Sequence, residues 1–164
     1  MNTEVNMSRA EQARQYFSQG YNCAQAVVLA FSDLTGLDKD TLLKLSAPFG
    51  GGMGRMREVC GTVSGMMMVA GLVFYDAGSA SNKEKSALYA REQELAKRFR
   101  AENGSIICRE LLAGVKTQPG SQAEERTPEY YKKRPCGELC ACAAQILEDY
   151  LIKEGKLIAD GENK

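Results

Sequence analysis

The sequence contains no histidine and no tryptophan, and its 21 basic residues are balanced by 21 acidic ones. Without histidine, the chain can form neither a Ser-His-Asp nor a Cys-His catalytic site, nor a metal site with mixed cysteine and histidine ligands. Without a basic excess, we expect no general binding to nucleic acid or to an anionic membrane surface. Cysteine occurs six times and is therefore the strongest nucleophile and the softest metal ligand available.

Long apolar runs are scarce as well. The stretch from Val59 to Tyr75 carries no charge, but it is near the lower length limit for a membrane-spanning helix and contains several glycines and polar residues. We interpret it as a buried central helix and expect no insertion into a membrane.

The first residues lack the basic and apolar segments of a secretory signal peptide. We therefore expect a cytoplasmic protein, in which reduced cysteines more often bind metal or catalyse than form structural disulfides.

Helix signals run along the whole chain, whereas no series of alternating β-branched residues predicts a strand. Helix N-cap residues precede apolar residues at helical spacing at five places. These predicted caps are Ser8, Asn22, Asp38, Ser81 and Ser105. The pattern predicts an all-α protein, a single compact domain over residues 1–164 with about six to seven helices around the apolar central helix.

Two segments stand apart from the predicted helices. Residues 116–134 contain Pro119 and Pro128 and are predicted to form a surface loop or a mobile lid. Pro135 suits the start of a last helix that ends at Gly155, and residues 156–164 are predicted to be a frayed tail.

Four cysteines occupy similar positions, each in the first turn of a predicted helix. They are Cys23, Cys60, Cys108 and Cys136. A helix N-terminus presents free N–H groups and a partial positive charge, so it should lower the pKa of a thiol placed there. Their wide separation matches no zinc-ribbon spacing, so a common site depends on the tertiary fold. We predict that the fold brings these thiols together, and the alternative for each is simple core packing.

Cys140 and Cys142 belong to the last predicted helix. Cys140 lies four residues after Cys136 and shares its helix face, so it could add a fifth thiol near the site, whereas Cys142 points elsewhere. Their spacing matches no ligand motif, and core packing is the favoured interpretation for both.

The segment Phe49–Met56 is rich in glycine and cannot form regular structure. The backbone N–H groups of such a loop, with Arg55 and Arg57 beside them, could bind a phosphate or a carboxylate. The predicted cofactor-binding residues are Gly50, Gly51, Gly52, Gly54 and Arg55. The loop lacks the complete glycine pattern of nucleotide-binding motifs, so a simple turn that lets Cys60 approach its partners is the favoured alternative.

Five segments, in order along the chain, carry a resemblance to a known family. They are G-Y-N-C-A-Q-A-V at 20–27, F-G-G-G-M-G at 49–54, C-G-T-V-S-G at 60–65, G-S-I-I-C-R-E-L-L at 104–112 and R-P-C at 134–136. In these segments the chain resembles the C_GCAxxG_C_C family of redox-active proteins, which carry four characteristic cysteines. Thr62 stands where the family usually has alanine. The resemblance implies a redox role with an iron–sulfur cluster or another metal.

Three hypotheses for the function follow. In the first, the four first-turn cysteines bind an iron–sulfur cluster or zinc, because an all-thiolate ligand set suits both. In the second, the protein is a thiol–disulfide oxidoreductase without metal that uses pairs such as Cys23 with Cys60 or Cys108 with Cys136. In the third, the glycine-rich loop makes the protein a non-catalytic module for an anion or a small molecule. Whether the protein turns over a substrate stays open.

The sequence also bears on partners. A redox role requires a redox partner, which the sequence does not identify. The apolar central helix carries Gly61 and Gly65 four residues apart, on one face. Small residues at this spacing let another backbone approach closely, so the pattern is compatible with a homodimer.

Overall fold

The computed structural model describes residues 7–159, and these fold into α-helices joined by turns and irregular loops. The α-helices are α1 (Arg9–Ser18), α2 (Cys23–Ala30), α3 (Ser32–Thr35), α4 (Lys39–Ser46), α5 (Gly61–Phe74), α6 (Asn82–Asn103), α7 (Cys108–Leu111), α8 (Pro128–Lys133) and α9 (Cys136–Lys153). A short 3-10 helix, Ala47–Phe49, follows α4. Within residues 7–159 there is no β-strand, and the one isolated bridge joins Val59 to Ile107. The all-α prediction is confirmed.

Most of the predicted helix starts are present. The side chains of four predicted caps accept a hydrogen bond from the backbone N–H three residues further on. These caps are Ser8, Asn22, Asp38 and Ser81. Asn22 forms a complete capping box, because the side chain of Gln25 in turn accepts from the backbone N–H of Asn22. This cap fixes the direction in which the chain enters α2.

Two details of the helix prediction are wrong. The described residues form nine α-helices rather than six or seven, since the chain breaks at Phe31 between α2 and α3 and adds the short α8. The helix predicted to start at Ser105 is only the four-residue α7. Its N-cap is Ile107, which is held extended because the backbone beside it pairs with the segment around Val59. The Ser105 hydroxyl instead accepts from the N–H of Ile107.

The apolar helix α5 lies at the centre of the molecule and packs against α2, α6 and α9. Its side chains Val63, Met66 and Val69 are fully buried in the core. In the part of the chain that the structure describes, no helix is both long enough and apolar enough to span a membrane. The uncharged stretch thus forms a core helix, as expected.

Gly65 lets α5 and α2 approach closely. A Cβ atom at Gly65 would lie 3.0 Å from the carbonyl oxygen of Ala24 and 3.0 Å from the Cβ of Val27, both in α2. The small-residue face of α5 is therefore filled by a helix of the same chain. The homodimer stays a prediction. Gly65 no longer argues for it, because α2 of the same chain already packs there.

The segment predicted to be a loop or lid is irregular up to Thr127 and then forms α8. Its use as a lid stays a prediction. At the other end of the chain, the backbone N–H groups of Lys156 and Leu157 both donate to the carbonyl of Leu151. Residues 160–164 of the predicted tail lie outside the described residues.

Candidate functional site

Four helices begin around a single cavity. Cys23, Cys108 and Cys136 are the first residues of α2, α7 and α9, and Cys60 is the N-cap of α5. All four cysteines line a cavity of about 60 Å³, which we call the thiol chamber. A space of this size holds a few water molecules or a small ion. The fold thus brings together four thiols that are widely separated in the sequence.

A short pairing of extended backbone joins the segments before α5 and α7. The backbone N–H of Cys60 donates to the carbonyl of Ile106 at 2.8 Å, and the N–H of Cys108 donates to the carbonyl of Glu58 at 2.6 Å. These bonds flank the bridge between Val59 and Ile107. Because both helices begin directly after the bridge, their cysteines reach the same cavity.

Gly61 makes room for the sulfur of Cys23. A Cβ atom at Gly61 would lie 2.6 Å from Cys23 Sγ and 2.8 Å from the carbonyl oxygen of Phe49. No real side chain tolerates such contacts without movement. Glycine directly after Cys60 therefore allows the sulfur of Cys23 to sit against the start of α5.

The glycine-rich loop forms another wall of the thiol chamber. A Cβ atom at Gly52 would lie 2.6 Å from the Cβ of Cys108, and the backbone N–H of Gly51 points at the sulfur of Cys23. The chain adopts positive φ at every residue from Gly51 to Arg55 and again at Arg57. Such a left-handed turn costs non-glycine residues about 1–2 kcal/mol each. Gly51 and Gly52 thus bring backbone close to the thiols, and the role of the predicted glycines in binding a cofactor stays a prediction.

Burial, and not the helix N-termini, dominates the acidity of three chamber thiols. Burial is the main cause that raises the pKa of Cys23, against which the N–H groups of Gly51 and Ala24 act in the opposite direction. Burial and the charge of Cys23 raise the pKa of Cys60, and they raise that of Cys136 to about 12. The expectation of lowered pKa values is therefore wrong for these three, because desolvation disfavours the thiolate more than nearby N–H groups stabilise it.

Three arginines line the thiol chamber beside the cysteines: Arg57, Arg126 and Arg134. Nη1 of Arg57 lies 3.9 Å from Cys108 Sγ. Arg134 is only 9% exposed and forms an ion pair with Glu124. The charges of Arg134 and Arg126 act against the rise in the pKa of Cys136.

Arg126 and Tyr130 are chamber residues that sequence reasoning missed. Arg126 donates to the carbonyls of Phe17 and Tyr21, at 3.1 and 3.2 Å, and its guanidinium lies over the rings of Phe17 and Tyr130. These contacts join the loop before α8 to the end of α1. No local pattern marks them, because they arise only when distant segments pack together.

Arg55, predicted to bind an anion, holds residues 116–127, the loop before α8, which we call the covering loop. Its guanidinium donates to the carbonyls of Gln118 at 3.0 Å and Gly120 at 2.8 Å, and also to that of Gln122. It forms an ion pair with Glu124 at 3.6 Å. The donors of Arg55 are thus engaged with the protein itself.

The other two cysteines lie outside the chamber wall. Cys140 is fully buried, with its sulfur 3.8 Å from the carbonyl oxygen of Cys23, and burial and the charge of Cys23 raise its pKa. Cys142 donates to a carboxylate oxygen of Glu102 at 3.0 Å and accepts from Asn103 at 3.4 Å. Cys142 thus contacts residues that do not line the thiol chamber. It offers a control thiol on the same helix as Cys136.

The thiol chamber fits a soft metal in the kind of donor it offers. All six cysteines are free thiols, and four of them surround one cavity. In the present arrangement, no three cysteine or acidic side chains within residues 7–159 are close enough together to hold a metal ion. The four sulfurs must therefore move inward, towards the centre of the cavity, to share one ion or cluster.

Comparison with known proteins supplies the remaining observation. The model of a family described as "Putative redox-active protein (C_GCAxxG_C_C)" matches residues 21–150. The chain belongs to this family. The matched span contains all four chamber cysteines, so the C_GCAxxG_C_C resemblance drawn from the sequence is confirmed. No curated protein and no solved structure matched the chain.

Proposed function

We propose that this C_GCAxxG_C_C protein is a redox protein whose centre is the thiol chamber, and that the chamber binds a thiophilic metal, either as an iron–sulfur cluster or as zinc. One observation carries the proposal: four helices begin at the same cavity, and each brings a cysteine to it. An all-cysteine ligand set is typical of iron–sulfur clusters and of structural zinc.

The electrostatics of the chamber support a bound cation. Burial and mutual repulsion raise the pKa of Cys23, Cys60 and Cys136, so bare thiolates are unfavourable there. A metal ion offsets this repulsion, because it binds the thiolate and releases the proton. Arg57 and Arg134 lie beside the sulfurs and would balance the negative charge that four thiolates leave on a metal centre. An iron–sulfur cluster would supply one-electron transfer, whereas zinc would supply structure and leave the redox chemistry to the thiols that bind it.

Metal analysis of protein purified without oxygen tests the proposal. We expect iron and sulfide, or zinc, bound to the wild-type chain as isolated or after reconstitution, with charge-transfer absorption in the iron form. Cys142→Ser is the matched control and should bind as the wild type does. A chain that stays metal-free after reconstitution with iron and sulfide and with zinc would contradict metal binding.

A specific contact favours a second candidate, a dithiol–disulfide centre formed by Cys23 and Cys60. The sulfur of Cys23 lies against Gly61, the residue that follows Cys60, and the charges of the two thiols interact. Oxidation of the pair forms one S–S bond and releases two protons and two electrons, which a disulfide of a partner protein accepts to become two thiols. A reducing compartment such as the cytoplasm would keep the resting pair as thiols.

Differential alkylation at controlled redox potential separates the two candidates. The second candidate predicts that Cys23 and Cys60 lose and regain reactivity together, with a mass change of one disulfide, while Cys142 stays reactive throughout. If no reversible disulfide forms in the metal-free chain at any potential, the second candidate is wrong.

A further inference from the structure

We propose that a small oxyanion binds at the mouth of the thiol chamber and is held there by Arg57, a site that rests on the proposed function because it would select the compounds that reach the thiols. A second cavity of about 310 Å³ lies outside the chamber, and we call it the vestibule. Its charged wall consists of Arg55, Arg57, Arg126, Arg134 and Glu124.

The vestibule and the thiol chamber share walls. Asn22, Gly51, Arg57, Arg126 and Arg134 line both cavities. Gly51 directs its backbone N–H towards Cys23, at the chamber end of this shared wall. A compound in the vestibule is therefore next to the chamber, and any solute that enters from this side passes the arginines first.

The charge of the vestibule favours an anion. Its wall carries four guanidinium groups, and among the described lining residues Glu124 supplies the one carboxylate. Glu124 is already paired with Arg134 and Arg55. A cleft whose walls carry more charges of one sign than of the other concentrates ions of the opposite sign.

Arg57 differs from the other arginines of the vestibule in having, within residues 7–159, a buried donor without a partner. Its Nη2 atom is buried and has no hydrogen-bond partner among the described residues. Arg55 and Arg126 donate to backbone carbonyls, and Arg134 donates to Glu124. An unpartnered buried donor is unfavourable, so an oxygen acceptor supplied by a ligand would stabilise it.

The backbone of Arg57 is strained in a way that serves this position. Arg57 has a φ of 60°, in the left-handed region, and its N–H donates to the carbonyl of Gly51 at 3.2 Å. Strained residues of this kind persist where the surroundings enforce them, often at binding sites. The guanidinium of this residue reaches the thiol chamber, with Nη1 3.9 Å from Cys108 Sγ.

The size of the two cavities and the geometry of guanidinium define the class of ligand. Guanidinium groups bind two oxygens of one anion in parallel. The vestibule has room for sulfate or phosphate and for a larger anion, whereas the thiol chamber behind it has room only for a group of a few atoms. An anion at the mouth of the chamber must thus be small or end in a small oxyanion group. The ligand class is therefore a small inorganic or organic oxyanion.

Amide chemical shifts during titration with sulfate test the proposal in the reduced, metal-free, full-length chain, against chloride at equal ionic strength. We expect saturable shifts at Asn22, Gly51 and Arg57 with sulfate alone. Arg57→Gln should weaken sulfate binding about tenfold or more. Arg57→Lys keeps the positive charge but cannot bind two oxygens in parallel, so it should weaken sulfate binding less than Arg57→Gln does. Arg100→Gln on the exposed side of α6 makes the same change in charge and should leave binding unchanged.

Three outcomes would overturn the anion site: no saturable sulfate shifts, shifts centred away from the vestibule, or equal weakening by Arg57→Gln and Arg100→Gln. The titration uses reduced, metal-free protein, so its result is independent of metal binding and disulfide formation. If the chain binds sulfate but neither binds metal nor forms a reversible disulfide, the proposed function alone is refuted. A chain that binds metal but not sulfate refutes the anion site alone.

Discussion

Gly61 shows how one missing side chain shapes the thiol chamber. The sulfur of Cys23 and the carbonyl of Phe49 both occupy the space that a Cβ atom at Gly61 would take. The packing explains why glycine follows Cys60 in the C-G-T-V-S-G segment. At this scale the conformational freedom of glycine matters less than its size, since Gly61 lies in ordinary helical backbone.

We expect Gly61→Ala to lower the free energy of unfolding by about 1–3 kcal/mol, the usual range for overpacking a closed site. The added methyl must displace either the sulfur of Cys23 or the carbonyl of Phe49. Urea unfolding measures the stability, and the rate of Cys23 alkylation reports on the sulfur itself.

Gly71→Ala is the matched control, in the same helix α5. A Cβ atom at Gly71 meets none of the described atoms within 4 Å, so alanine should stabilise the helix by about 0.5–1 kcal/mol. Equal effects of the two substitutions would show that close packing at Gly61 does not shape the chamber.

Sequence reasoning at the residue scale identified the four chamber cysteines because their caps and glycines are local signals. It identified neither Arg126 nor the burial of Arg134. Burial of Arg134 depends on Glu124 and on the ring of Tyr130, 5.0 Å away, which approach only in the folded chain. For the same reason the pKa prediction for Cys23, Cys60 and Cys136 had the wrong direction, since helix position is visible in a sequence and desolvation is not.

At the scale of elements, the loop before α8 is anchored over the chamber through Glu124. Its carboxylate accepts from the backbone N–H of Gln118 at 2.9 Å and pairs with Arg134 and Arg55. The side chain of Glu124 is 16% exposed. One carboxylate thus connects three segments: the glycine-rich loop, the covering loop of residues 116–127 and the end of α8 at Arg134.

We expect Glu124→Gln to speed amide hydrogen exchange across residues 116–127, because glutamine keeps a hydrogen-bond acceptor but loses both ion pairs. Glu125→Gln, an exposed neighbour, is the control and should exchange at the wild-type rate. Unchanged exchange in Glu124→Gln would mean that the ion pairs do not hold the loop.

The same anchor depends on pH. Burial acts to raise the pKa of Glu124, but the N–H of Gln118 and the charges of Arg134 and Arg55 outweigh it and hold the pKa below its usual value. A lowered carboxyl pKa contributes stability above the usual value of about 4.3, which is lost as the pH falls through the lowered value. The protection of the covering-loop amides, which is the intrinsic exchange rate at each pH divided by the observed rate, should therefore fall in acid in the wild type. Glu124→Gln should show no such fall.

At the scale of the whole molecule, the buried thiols make stability depend on alkaline pH. The pKa of Cys136 is raised to about 12, by burial first and then by Cys23. A raised thiol pKa leaves stability intact below the unfolded value of about 8.5 and reduces it as the pH rises towards the folded value. Each such thiol lowers the unfolding free energy by up to about 1.4 kcal/mol per pH unit in that window.

Cys136→Ser removes one of the buried thiols that ionise in this pH range. In the reduced, metal-free chain, its unfolding free energy should fall less steeply between pH 8.5 and 10 than that of the wild type, by up to about 1.4 kcal/mol per pH unit. Urea unfolding at a series of pH values measures both slopes. Parallel curves would show that Cys136 has an ordinary thiol pKa.

The fold class follows from the sequence because caps, apolar spacing and helix-ending glycines are local. Asn22 with Gln25 and Ser81 with Glu84 mark helix starts at the residues observed. The short α7 could not be predicted, since the extended conformation of Ile107 comes from pairing with a distant segment. The same pairing brings two of the four chamber thiols, Cys60 and Cys108, to one cavity.

Titration with cobalt(II) under anaerobic conditions tests most directly whether the four chamber thiols act as one centre. Sulfur-to-cobalt charge-transfer absorption should saturate at one cobalt per chain. Serine in place of Cys23, Cys60, Cys108 or Cys136 should weaken binding and change the spectrum in each case, whereas Cys142→Ser should match the wild type. Wild-type spectra and affinity in the four chamber variants, or no cobalt–thiolate absorption at all, would contradict the account.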